Sequence, residues 1–214
     1  MIRAAQPLRA VVSDFGGVLT APLLQGFALV QQDTGVPPEA FGRALARAGE
    51  PNPLFALEVG AITEADFIAT LERELEPILG RPVDLHGFAQ RYMGTLAAND
   101  ELFAYYRRLH ARGVRLAVCT NNVREWEPLW REKLPIDEIF ETVVDSAFVG
   151  VRKPDPAIYG IVLERLGLAA GECAFVDDIA INVRAAAELG FTGVRFESTG
   201  QVIAELDALL ADGR

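Results

Sequence analysis

Five short apolar runs recur along this 214-residue chain, and helix-patterned segments separate the last four. The runs are Arg9–Phe15, Arg115–Asn121, Glu141–Ser146, Cys173–Asp178 and Gly193–Phe196. Their β-branched and small apolar residues follow one another without polar alternation, as in strands covered by helices on both faces. Among the helical stretches, Asn99–Arg112 places Leu102, Tyr105, Tyr106 and Leu109 on one face. Pro156–Leu166 is similarly patterned, and the Ala-rich stretch Val183–Leu189 stops at Gly190, a natural C-terminal cap. Strands that alternate with helices pair in parallel, because each return crosses over through a helix. The expected fold is α/β, a doubly wound parallel Rossmann-like sheet.

The rhythm breaks after the first strand. Residues 21–95 contain no convincing strand, and helices are expected over Pro22–Asp33, Pro38–Ala48, Thr63–Leu75 and Asp84–Met93. Prolines 37, 38, 51, 53 and 82 and glycines 35, 49, 60 and 80 punctuate them. Thr63-Glu64-Ala65-Asp66 has the form of a helix start with an acidic first turn. The expected organisation is a Rossmann-like core of residues 1–20 and 96–214, with a small helical cap of residues 21–95 inserted after the first strand.

Composition narrows the partners. Asp and Glu number 30 against 20 Lys and Arg, a formal net charge of −10. Such a surface offers few cations to replace phosphate counterions, which argues against nucleic acid and anionic membranes as partners. Half the residues are hydrophobic, yet no apolar run approaches the roughly 20 residues that span a bilayer. The opening segment MIRAAQPLRA lacks the apolar core of a signal peptide. Cys119 and Cys173 stand in no metal-binding spacing and read as reduced thiols in buried strands. A cytoplasmic protein is expected. His86 and His110 are too few and too far apart for a histidine metal site.

The polar residues that matter fall at strand ends. Asp14 leaves the first strand and meets Gly16 and Gly17, which let backbone approach whatever binds there. Ligands of parallel sheets lie at the carboxyl ends of strands, so Asp14 faces the expected crevice. The second strand ends in Thr120-Asn121-Asn122, by itself a common helix cap. Lys153 lies in Arg152-Lys153-Pro154-Asp155-Pro156, just before a helix. A lysine there holds a phosphoryl group or neutralises a carboxylate, or else is a solvated loop residue. The fourth strand ends in Asp177-Asp178. Adjacent carboxylates at the end of an apolar strand repel unless a cation is near, and a hard divalent metal would remove the repulsion.

Together these four signals resemble the haloacid dehalogenase-like hydrolase superfamily across nearly the whole chain. The wording Asp-Phe-Gly-Gly-Val-Leu and Phe-Val-Asp-Asp-Ile-Ala-Ile-Asn is closest to the branch of the N-terminal phosphatase domain of soluble epoxide hydrolase. The resemblance implies a Mg²⁺-dependent phosphatase of small phosphorylated metabolites. Asp14 would be the nucleophile, forming an aspartyl-phosphate. Gly17, Thr120, Asn121 and Lys153 would hold the phosphoryl group. Asp14, the Gly16 carbonyl and Asp178 would ligate the metal, with Asp177 reaching its water shell.

One position departs from the pattern. Phosphatases of this superfamily carry a second Asp two residues after the nucleophile, where this chain has Gly16. That Asp protonates the leaving oxygen and then activates water, help worth about 10²–10⁴-fold. Two other readings therefore stay open: a metal-independent haloacid dehalogenase, and a degenerate binding module. Phe27, Phe55, Phe67 and Tyr92 could line a substrate cavity or simply hold the cap together. Trp126 and Trp130 are expected to pack in the core or against the cap.

Overall fold

A computed structural model describes residues 7–21, 31 and 34–211. Strands β1 (Ala10–Ser13), β2 (Arg115–Thr120), β3 (Thr142–Asp145), β4 (Cys173–Asp177) and β5 (Thr192–Arg195) form one sheet in the order β3-β2-β1-β4-β5. Every neighbouring pair is parallel, as the continuous apolar runs require. The helices are α1 (Pro38–Ala48), α2 (Pro53–Glu58), α3 (Glu64–Leu79), α4 (Phe88–Thr95), α5 (Asp100–Ala111), α6 (Glu127–Arg131), α7 (Ser146–Val149), α8 (Pro156–Leu166), α9 (Ala180–Glu188) and α10 (Thr199–Ala211).

Successive strand side chains point to opposite faces, and each face finds its own cover. Val11, Leu116, Val118, Ala174 and Val176 join a cluster with Leu102 and Leu109 of α5 and Val202 and Leu206 of α10. Ala10, Val12, Ala117, Cys119, Cys173 and Phe175 pack with Ile158 and Val162 of α8 and Ala186 of α9. Both cysteines are free and buried.

The chain starts at the centre of the sheet, moves outward through β2 and β3, then returns to the other side of β1 as β4 and β5. This reversal opens a crevice at the carboxyl ends of β1 and β4, the place where such sheets bind ligands. The segment inserted after β1 begins and ends at one point. Ala21 N–H donates to Ala97 O at 2.8 Å, and Asn99 N–H to Leu19 O at 2.9 Å. Asn99 also caps α5 by accepting from Leu102 N–H, and its amide donates to Val18 O. Among the described residues between these points the regular elements are all helices, α1 to α4, with α1 packed on α3.

Several boundaries differ from the sequence reading. The helix expected over Pro22–Asp33 lies, Gln31 apart, outside the described residues. Thr63 and Asp66 form a reciprocal capping box at the start of α3, but that helix runs past Leu75 and through Pro77 to a left-handed cap at Gly80. The helix expected from Asp84 starts at Phe88, because Gly87 is left-handed (φ 68°) and stops the helix growing backward. Helix α9 starts at Ala180, before the expected Val183; Asn182 belongs to its buried face. The short helices α2 and α7, and α10 at the end of the chain, are additions.

Candidate active site

β1 and β4 are in register, and Asp14 N–H continues their ladder by donating to Val176 O at 2.8 Å. The chain thereby sets Asp14, Asp177 and Asp178 side by side. Each offers a carboxylate oxygen, and these three oxygens lie within 4.8 Å of one another. Asp14 is 6 % exposed and Asp177 is fully buried.

Lys153 meets this acidic group from the loop between α7 and α8. Its Nζ lies 2.8 Å from Asp14 Oδ1 and 2.6 Å from Asp177 Oδ2, and the residue is 1 % exposed. The solvated-lysine alternative is therefore excluded. Burial opposes the lysine's charge, yet the carboxylates of Asp14 and Asp177 outweigh it and hold its pKa above the ordinary value. The loop itself is clamped by Asn121. The Asn121 amide donates to Lys153 O at 3.0 Å, and its Oδ1 accepts from Lys153 N–H at 2.8 Å. This side chain is thus committed to the loop.

The adjacent carboxylates are in different circumstances. Asp177 accepts from Lys153, from Ile179 N–H and with both oxygens from the Asn182 amide. Asp178 has a buried oxygen, Oδ1, with no hydrogen-bond partner among the described residues. Its pKa is raised by burial and then by the neighbouring Asp177. Asp14 is raised to about 7: burial comes first, Lys153 opposes it, and Asp177 and Asp178 reinforce it. A buried carboxylate oxygen without a donor, inside a cluster of three acids and one lysine, fits a hard divalent cation with oxygen ligands.

Gly17 permits this crowding. Its backbone is left-handed (φ +84°), and a Cβ there would stand 2.5 Å from Asp178 Oδ2. Its N–H points to the Thr20 hydroxyl at 3.4 Å. Gly16 is not among the left-handed glycines.

Gly16, Thr120 and Asn121 also line a cavity of about 160 Å³. Its other walls include Phe88, Tyr92 and Met93 of α4, Trp126 and Trp130, and Glu58 at the end of α2. Of the aromatic candidates, Tyr92 reaches this cavity. Phe67 is buried within the cap helices' packing, Phe55 is half exposed beneath the Arg152 guanidinium, and Phe27 lies outside the described residues. Trp126 packs against Phe88 and Tyr92, the expected cap contact, and Trp130 against Phe15. Asn182 and Glu58 were not singled out from sequence. The five-residue step from Asp177 to Asn182, across a helix start, was the signal for the first; nothing local marked the second.

Comparison with known proteins agrees with this geometry. A model of the haloacid dehalogenase-like hydrolase family matches residues 8–190. The chain is 31 % identical to phosphatase MT3486 of Mycobacterium tuberculosis, over 94 % of this chain and 95 % of that protein. It is 29 % identical to acyl-CoA dehydrogenase family member 10 of Mus musculus over 94 % of its own length, but spans just 19 % of that longer protein. With bifunctional epoxide hydrolase 2 of Sus scrofa it shares 21 % identity over 94 % of this chain and 38 % of that one. Among solved structures, an enzyme of the same family from Bacteroides thetaiotaomicron, in complex with magnesium and inorganic phosphate, superposes with a TM-score of 0.64. That match is 20 % identical over 88 % of this chain and 93 % of the other. The chain belongs to the haloacid dehalogenase-like hydrolase family.

Proposed function

We propose that the chain is a Mg²⁺-dependent phosphatase of small phosphate monoesters, acting from the cytoplasm through Asp14. The observation that carries this reading is the unpartnered, buried Oδ1 of Asp178 beside Asp14 and Lys153. A metal-free dehalogenase gains nothing from that third carboxylate, whereas a phosphatase needs a cation there. The phosphatase relative that matches this chain end to end supports the same choice. We further propose a core of residues 1–20 and 96–214 and a cap of 21–95; the hydrogen bonds from Ala21 N–H to Ala97 O and from Asn99 N–H to Leu19 O support this division.

In this reading Asp14, Asp178 and the Gly16 carbonyl would hold Mg²⁺, with Asp177 anchoring Lys153. When bound, such an ion would supply positive charge that favours the ionised form of Asp14 and offsets charge on the phosphoryl oxygens. An Asp14 oxygen attacks phosphorus in line as the ester oxygen departs, and water then cleaves the aspartyl-phosphate. Lys153, the Thr120 hydroxyl and the backbone at Gly17 and Asn121 hold the equatorial oxygens, where the loose transition state spreads its charge.

Hydrolysis of 4-nitrophenyl phosphate tests the reading. Nitrophenolate departs without a proton, so the assay does not depend on the acid absent at Gly16. Turnover is expected with Mg²⁺ and is lost in EDTA and in Asp14→Asn. Turnover that survives either change overturns the assignment, and chloride release from a 2-haloacid would replace it with dehalogenation.

A further inference from the structure

The cavity that reaches Gly16 contains one carboxyl group among its described lining residues, that of Glu58. Glu58 is the last residue of α2, and three contacts fix it over the crevice. Arg152 Nε donates to Glu58 Oε2 at 2.5 Å, Ser146 Oγ donates to Glu58 O at 2.5 Å, and the Arg152 guanidinium lies 4.0 Å over the Phe55 ring. Arg152 immediately precedes Lys153, so the cap carboxyl and the phosphoryl-binding lysine are tied to one loop. The other oxygen, Oε1, takes no hydrogen bond from a described residue. It is thus available to a group in the cavity.

We propose that Glu58 is the catalytic acid and base that serves in place of the Asp missing at Gly16, an assignment that rests on the phosphatase reading. As the ester O–P bond breaks, the Glu58 carboxyl gives its proton to the leaving oxygen and the alcohol departs. The resulting carboxylate then takes a proton from water as the water oxygen bonds to phosphorus. The bond from phosphorus to Asp14 breaks, phosphate leaves, and the Glu58 carboxyl is restored. Burial raises the Glu58 pKa, opposed by the two cations that face it, Arg152 and more weakly Lys153. That shift brings the carboxyl closer to neutrality, where exchanging a proton in both directions is most effective.

The test is Glu58→Gln, whose amide oxygen still accepts from Arg152, assayed on two esters with Mg²⁺. On 2-phenylethyl phosphate, whose alkoxide needs a proton, kcat is expected to fall about 10²-fold or more. On 4-nitrophenyl phosphate the first turnover stays fast and later ones slow. The result is a burst of nitrophenolate and a phosphorylated chain detectable by mass spectrometry. Gly16→Asp placed in the Glu58→Gln chain is expected to restore alkyl ester turnover, which repair of a purely structural link would not do. Equal losses on both esters without a burst, or undiminished alkyl turnover, overturn the assignment. Where melting shows that the amide variant does not fold, Glu58→Asp takes its place. It should lose more activity on the alkyl ester than on the nitrophenyl ester, and equal losses again overturn the proposal. A wild-type chain inert toward 4-nitrophenyl phosphate overturns the phosphatase reading itself, and this assignment with it. An active wild type with an unaffected Glu58→Gln overturns the Glu58 assignment alone.

Discussion

Gly17 runs so close to Asp178 that a Cβ on it would stand 2.5 Å from the Asp178 Oδ2. The glycine's left-handed backbone adds a second constraint, since a side chain there is strained by about 1–3 kcal/mol before any clash. Gly17→Ala is therefore expected to lower the unfolding free energy measured in urea by at least that strain. It should also blunt the rise in melting temperature on adding Mg²⁺, because Asp178 must move. An alanine variant with wild-type stability and wild-type Mg²⁺ response would refute this.

The two adjacent acids should respond differently to substitution. Mg²⁺ at 100 times its Kd stabilises a folded protein by about 2.7 kcal/mol. Asp178→Asn is expected to abolish that Mg²⁺-dependent shift in thermal unfolding. Asp177→Asn should retain part of it while destabilising the metal-free protein, because Lys153 loses an anchor. Equal behaviour of the two variants would place both acids on the metal.

Lys153 is a buried cation whose removal leaves Asp14 and Asp177 facing each other. Lys153→Met should cost about 3–5 kcal/mol in urea unfolding at pH 8. The deficit should narrow at pH 5. With the lysine gone, Asp14, already raised to about 7, takes up a proton more readily. A deficit independent of pH would mean that packing, not charge, is what the lysine supplies.

Asp145 provides a test away from the reaction. Its pKa is raised to about 6, mainly by burial, and its Oδ2 has no partner among the described residues, while Oδ1 caps α7 by accepting from Ala147 N–H. A raised acid binds its proton more tightly when folded, so its contribution is complete below the ordinary value and is lost as pH rises through about 6. Asp145→Asn keeps the cap and removes the buried charge. It should stabilise the protein by about 3 kcal/mol at pH 8 and make little difference at pH 4. Destabilisation at pH 8 would show that an unseen cation pairs with this group.

The sheet was legible because its central strands β1, β2 and β4 are buried on both sides, and such runs carry their own signature. The ends of helices were less so. Gly87 could have been read as a cap or as a loop; in the fold it is the left-handed N-cap of α4. Asp14 and Asp177 were readable as candidates because each sits at the carboxyl end of a parallel strand, and Lys153 because it lies just before a helix in Arg152-Lys153-Pro154-Asp155-Pro156. The division of labour between Asp177 and Asp178 was only partly readable. It depends on where Asn182 and Lys153 point, and their pairing partners are remote in sequence. Glu58 carries the least local signal of all, since Arg152 lies far along the chain and a helix ending in Glu is ordinary.

The stack formed by Phe88, Tyr92 and Trp126 joins α4 to the segment that follows β2. It belongs to the same apolar cluster as Val11 and Val118 beneath the sheet. Grafting a foreign insertion onto this chain, as one would to change its selectivity, would cut through that shared interior. A chimera that exchanges residues 21–95 should survive only where Trp126 travels with Phe88 and Tyr92. Recombination between relatives would then keep the two sequence blocks together.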